Sequence, residues 1–225
     1  ETDAGVYCHA GPEISVASTK AFTSQLAILS LLAVYLGQDR GLASKTAARI
    51  VKALAVIPKQ MEAVLEEAKA IKMLAKRYAK EQHYLYLGRK YNFPNALEGA
   101  LKIKEIAYVP AQGYPTGEMK HGPIALIEPK SFVIMLIPDD SVYTKNMSGM
   151  EEILARGGSV LAIATAGDRT IRTKATHVIT IPKTLEMLSP ILSALPLQLF
   201  AYFVAAERGY DIDQPRNLAK SVTVE

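Results

Sequence analysis

Four short apolar runs, HYLYLGR from His83, FVIMLIP from Phe132, SVLAIAT from Ser159 and HVITIP from His177, recur with helix-like stretches between them. Strands that alternate with helices in this way point to an α/β class, a doubly wound domain built on a parallel sheet. Phe132 to Ile137 carries no polar residue on either face, which suits a strand covered by helices on both sides. Helices are expected after Pro94, near 143–156 and from about Pro190 to Arg208. Ligands of such folds sit beyond the carboxyl ends of strands, which draws attention to the Gly88-Arg89 turn and the ATAGDRT loop from Ala164 to Thr170.

The first eighty residues read differently. Residues 4–9 suggest a strand that exits at Gly11-Pro12, and Ser18 or Thr19 could cap a helix running to Gly37. A parallel sheet needs neighbouring strands joined by crossovers, yet one strand alone precedes this helix, so the chain is expected to begin part-way through a domain. Residues 41–57 suggest a second helix closed by Pro58. Met61, Val64, Leu65, Ala68, Ile71, Leu74, Ala75 and Tyr78 then follow helical spacing to about Gln82. Together these two helices read as a connector.

Composition excludes several classes of function. Apolar residues make up 49% and charged residues 21%, the balance of a globular chain. The net charge of +4 is small and scattered, with no basic stripe for nucleic acid, whereas an anionic small molecule fits. Cys8 is the only cysteine, so neither an internal disulfide nor a Cys/His metal box can be assembled, and a reducing cytoplasm is the default. Its short apolar setting favours an inert thiol. The longest apolar stretch, Leu26 to Leu36, is too short for a bilayer, and no basic-then-apolar leader opens the chain.

Three segments hold candidate chemistry. Glu98, Lys102 and Glu105 are spaced by four and three and share one helical face, either as a surface ion-pair ladder or, given the Ala, Gly and Ile around them, as part of a site. GYPTGEMKHGP is rich in turn formers and presents Glu118, Lys120 and His121, with a plain turn before a strand-like IALIE as the simpler reading. His121 is a better proton exchanger here than His9, His83 or His177, which flank apolar strands. Lys220 follows a Pro-Arg-Asn turn; it is either a solvated lysine on a frayed end or an amine that attacks a carbonyl. Attack requires loss of the ammonium proton, for which burial or cationic neighbours such as Arg216 and Lys102 could serve.

The segments AGPEISVASTKAFTSQL, ALEGALKIKEIAY, GEMKHGPIALI and DQPRNLAKSVTVE, in this order and across the whole chain, closely resemble the isomerase region of the bacterial glutamine–fructose-6-phosphate aminotransferase (isomerising) family, within the sugar isomerase (SIS) superfamily. The resemblance implies a flavodoxin-like SIS domain over about 73–215, preceded by a remnant of a first SIS domain over 1–40 and a helical connector over 41–72, and followed by an active-site tail over 216–225. It also implies a glutaminase domain that this chain lacks, so Cys8 is not that domain's nucleophile. The sugar-phosphate loop would belong to the absent part of the first SIS domain.

Carried over by matching position, Glu105 is the base that moves a proton between C1 and C2, and Lys220 forms a Schiff base with fructose 6-phosphate. His121 opens the sugar ring from a neighbouring subunit of a homodimer, Lys102 assists, and Val16, Ser18 and Ala219 line the sugar site. No metal or cofactor is implied. Gln112 stands where relatives often carry Glu, and Met119 replaces a common Leu. The expected setting is a cytoplasmic enzyme of amino-sugar synthesis with no nucleic-acid or membrane partner, this piece being weakly active or inactive alone. A non-catalytic sugar-phosphate-binding module and a purely architectural dimerising fragment are the alternatives.

Overall fold

The computed structural model describes residues 4–220. Residues 221–225 of the expected tail lie outside the described residues. Five strands form one sheet: β1 (Tyr84–Gly88), β2 (Ala111–Pro115), β3 (Phe132–Ile137), β4 (Ser159–Thr165) and β5 (His177–Ile181). Their order is β2-β1-β3-β4-β5, and every neighbouring pair is parallel, with Leu85 opposite Val133, Val133 opposite Val160 and Leu161 opposite His177. This is the flavodoxin-like order of a doubly wound sheet.

Strand alternation sends side chains to two separate cores. Tyr84, Tyr86, Phe132, Ile134, Leu136, Leu161 and Ile163 face a core shared with α2 (Ser44–Leu65), α3 (Ala68–Tyr78), α4 (Phe93–Lys102) and α7 (Ser189–Glu207). Leu87, Val133, Met135, Ile137, Val160 and Ala162 face the other, with α5 (Tyr143–Leu154), α6 (Arg169–Lys174) and the 3-10 turn Thr116–His121, whose Met119 is fully buried. α7 is apolar on nearly every side because most of it is buried, Tyr202 being exposed. The segment Glu186–Glu207 and α1 (Lys20–Gln38) are each long and apolar enough to cross a membrane by composition, but 72% of the first lies inside the domain. On α1, Leu29, Leu32, Tyr35 and Leu36 are exposed.

Several sequence expectations are corrected. Residues 4–9 form no strand, as no described segment lends them a pairing edge. Pro58 does not end its helix: α2 runs through it, with Ile57 and Val64 on either side buried in the same core. The helix expected from 61 to 82 is broken at Glu66–Glu67, between α2 and α3. IALIE is no strand either, since Pro123–Leu126 is a 3-10 turn. The strand lies earlier instead, at Ala111–Pro115, inside what reads as turn chemistry. There β2 is an edge strand, where Pro115 need donate to no further neighbour. Gly113 permits close approach, because a Cβ there would lie 2.9 Å from the Leu97 backbone.

α4 is held at its beginning and its middle. Its beginning is tied to α7 by buried amides and hydroxyls: Asn92 Nδ2 donates to Ser189 Oγ at 3.0 Å, Asn95 Nδ2 to Ser193 Oγ at 2.8 Å, and Ser193 Oγ to Asn92 Oδ1 at 2.8 Å. Its middle crosses β1 and α7 at Gly99, where an added Cβ would lie 2.8 Å from the Tyr86 ring and 3.1 Å from Leu197. Gly99→Ala is therefore expected to destabilise the fold by about 1–3 kcal/mol through overpacking, despite the better helix propensity of alanine. Urea unfolding measures this, and a neutral or stabilising result would show that α4 can shift.

Candidate active site

α4 follows β1, returns antiparallel to it and ends where the chain enters β2, so its carboxyl end lies at the amino edge of the sheet. The helix does not stop cleanly. Ile103–Ala107 winds as a π turn, which Tyr108 closes in the left-handed region at φ 57°. Such turns recur at functional sites because they swing side chains out of α-helical register. Glu105 sits on it. Lys102, only 3% exposed, reaches Glu105 Oε2 at 2.6 Å and lies 3.4 Å from Glu98 Oε1. The second contact lacks hydrogen-bond geometry and leaves that Glu98 oxygen unpartnered. Loss of water pushes the Glu98 carboxyl up, Lys102 pulls it part-way back, and the charge of Glu105 adds to the rise. The surface-ladder reading does not fit Lys102, which is buried, or Glu98, whose side chain is nearly so, while Glu105 is partly exposed.

A pocket of about 160 Å³ opens beside Lys102, lined also by Ser15, Ala17, Thr19, Ile106 and Tyr202. A larger hollow of about 720 Å³, between residues 80–85 and 125–133, contains none of the expected site residues. At the carboxyl edge of the sheet, Lys90 pairs with Glu186 at 2.7 Å and Lys183 with Asp139 at 2.6 Å, while Arg89 Nε is buried without a partner. In the ATAGDRT loop, Asp168 caps α6 and accepts from the Tyr143 hydroxyl at 2.6 Å.

The C-terminal segment folds back onto residues 13–16. Val16 N donates to Asp213 O at 3.0 Å, and Ser15 Oγ to Ile212 O at 3.2 Å. Arg216 N donates to the Tyr108 hydroxyl at 2.8 Å, and the Arg216 guanidinium lies 4.3 Å from the centre of that ring. Lys220 ends this path. Its Nζ donates to Ser15 O at 2.9 Å, to Val16 O at 3.4 Å and to Glu13 Oε2 at 3.3 Å. Lys220 and Lys102 therefore approach the same short segment, the first through the Ser15 carbonyl and the second across the pocket that Ser15 lines.

The other expected residues fall in different places. Val16 and Ser18 lie on the segment leading into α1, and Ala219 is exposed beside Lys220. Thr19 precedes α1 without a side-chain cap of its own. His121 is exposed at the end of the turn that buries Met119 against α5, on the opposite face of the sheet from α4. Sequence reasoning missed Glu13, whose Oε1 accepts from Thr19 N at 2.7 Å, and also Tyr108. Glu13 precedes Thr19 by six residues, a spacing that matches no capping box. No group of three His, Cys, Asp or Glu able to hold a metal exists among the described residues.

The parallel sheet in this order defines a doubly wound domain of flavodoxin-like topology. Residues 77–208 match the SIS domain family, to which the chain belongs. Across its full length the chain is 48% identical to the glutamine–fructose-6-phosphate aminotransferase (isomerizing) of Aquifex aeolicus and 50% identical to one from Thermus thermophilus. Each alignment takes in 100% of this chain and 37% of the relative, so the chain spans little more than a third of the length of the curated relatives it matches. Among solved structures, the C-terminal domain of glucosamine-fructose-6-phosphate aminotransferase from Francisella tularensis is 32% identical with a TM-score of 0.85, over 91% of this chain and 58% of that one. A glucosamine-6-phosphate deaminase from Thermotoga maritima is 25% identical with a TM-score of 0.72, over 95% and 59%.

Removing the Lys102 amine would leave two carboxylates confined together. Lys102→Met is expected to cost about 3–5 kcal/mol in denaturant unfolding, with part recovered by adding Glu98→Gln. A loss below roughly 1 kcal/mol would mean that water reaches both carboxylates.

Proposed function

We propose that the chain is the isomerase portion of a glutamine–fructose-6-phosphate aminotransferase and carries the groups that act on C1 and C2 of fructose 6-phosphate. The observation that carries this reading is the return of Lys220 to the Ser15–Val16 segment beside the Lys102–Glu105 pair, in a chain about half identical to enzymes of that name. In this reading the Lys220 amine adds to the C2 carbonyl and expels water as the iminium forms, which acidifies the neighbouring carbon. The Glu105 carboxylate, aimed by Lys102, then shuttles a proton between C1 and C2. Val16, Ser18 and Ala219 contact the sugar.

His121 opens the sugar ring from a second copy of the chain, an arrangement supported by its separation from α4 by the thickness of the sheet. A glutaminase domain supplies ammonia. The rest of a first SIS domain, of which residues 1–40 are the C-terminal remnant, covers the exposed Leu29, Leu32, Tyr35 and Leu36. Residues 41–72 connect that domain to the one spanning 73–215, and 216–225 form the tail that brings Lys220 to the sugar. The enzyme works in the cytoplasm.

Borohydride reduction of full-length protein with fructose 6-phosphate, followed by peptide mapping, tests the reading. The expected adduct is on Lys220. Glu105→Gln is expected to retain that adduct while losing about 10²–10⁴-fold in C1–C2 proton transfer. Binding of the sugar phosphate with no adduct would make the domain a non-catalytic binding module.

A further inference from the structure

An ammonium group has three N–H donors, and in this structure all three of Lys220 are taken: by two backbone carbonyls, Ser15 O and Val16 O, and by Glu13 Oε2. An amine held in this way has no lone pair with which to attack. Carbonyl oxygens of the main chain do not accept a proton at neutral pH; a carboxylate does. We infer that Glu13 is the proton acceptor that converts the parked Lys220 ammonium into the nucleophilic amine, and that it returns the proton to the oxygen lost as water. This rests on the Schiff-base reading above and adds to it the base that the reading lacks.

The step balances. The Lys220 proton passes to Glu13 Oε2, and the freed nitrogen lone pair forms the bond to the ketose C2 as the carbonyl electrons move to oxygen. Proton transfer from nitrogen to that oxygen gives the carbinolamine. The Glu13 carboxylic acid then protonates its hydroxyl, the C–O bond breaks with loss of water, and the iminium and the Glu13 carboxylate remain.

The surroundings suit the task. The Glu13 side chain is 10% exposed and held at both oxygens, with Oε1 accepting from Thr19 N at 2.7 Å and from the Thr19 hydroxyl at 3.2 Å at the start of α1. The positive end of that 19-residue helix favours the carboxylate at rest. Burial by itself raises the affinity of Glu13 for a proton, whereas the Thr19 amide, Lys220 and the Ala21 amide lower it, leaving the carboxyl below its ordinary range. Once the ammonium has given up its charge, the contribution of Lys220 disappears and that of burial stays. The other charged groups around the pair are Lys20, whose Nζ is bound to Pro12 O at 2.6 Å, Lys102 and Asp213 at the adjoining pocket, and Arg216 over Tyr108.

The test is the rate of borohydride trapping of fructose 6-phosphate on Lys220 in the full-length protein, followed against pH for the wild type, Glu13→Gln and Glu13→Asp. Glutamine keeps an oxygen for Thr19 N but cannot take a proton. Trapping by Glu13→Gln is expected to fall at least about tenfold near pH 7, to recover as pH rises toward the range where lysine ionises unaided, and to be restored in part by added acetate. KM is expected to move little. Should Glu13→Gln not fold, Glu13→Asp is decisive: it is expected to keep the wild-type pH profile at a reduced rate, and a profile that follows lysine alone would overturn the inference. A Glu13→Gln variant that traps at the wild-type rate with the wild-type pH profile would overturn the role of Glu13 alone. Absence of a Lys220 adduct in the wild type would overturn the Schiff-base reading, and this inference with it.

Discussion

One ammonium, that of Lys102, organises the end of α4. It is nearly excluded from water and lies against two carboxylates, with hydrogen-bond geometry to Glu105 alone. Removing such a charge from water is costly unless its partners are held in place, and here the backbone holds them: Glu98 by the last turns of α4, Glu105 by the π turn. The π turn in turn leads to Tyr108, whose hydroxyl and ring anchor Arg216. The buried pair and the return of the C-terminal segment are thus successive links of one chain of contacts, ending at Lys220.

The same architecture bears on where the proposed chemistry lies. At the carboxyl edge, which this fold class ordinarily uses, Lys90 pairs with Glu186 and Lys183 with Asp139. At the amino edge, α4 presents charge to a segment from the other end of the chain, so that residues 13–19, 98–105 and 211–220 converge across long sequence separations. The sheet divides this convergence from His121. In the proposed function, His121 therefore comes from a second copy of the chain.

What the residues reveal in advance follows the physics of each signal. FVIMLI and SVLAIAT are legible as strands because a sheet covered on both faces demands unbroken apolar runs. β2 is not legible, because an edge strand under a closely packed helix tolerates Gly113 and Pro115, the residues that elsewhere mark turns. Pro58 misleads in the opposite sense, since flanking burial at Ile57 and Val64 outweighs one lost backbone bond. Periodicity alone cannot tell whether the Glu98, Lys102 and Glu105 face is wet or dry, which α7 and residues 15–19 decide. Glu13 carries no local signal at all, as its partners are a helix start six residues on and a lysine 207 residues away.

The most direct measurement is a crystal structure of the full-length protein after borohydride reduction in the presence of fructose 6-phosphate. The expected result is a secondary amine joining Lys220 Nζ to the sugar C2, with the Glu105 carboxylate within roughly 3–3.5 Å of C1 or C2. An adduct on another lysine, or a sugar bound with Glu105 still turned into the Lys102 pair and away from both carbons, would contradict the convergence of these two groups on one substrate.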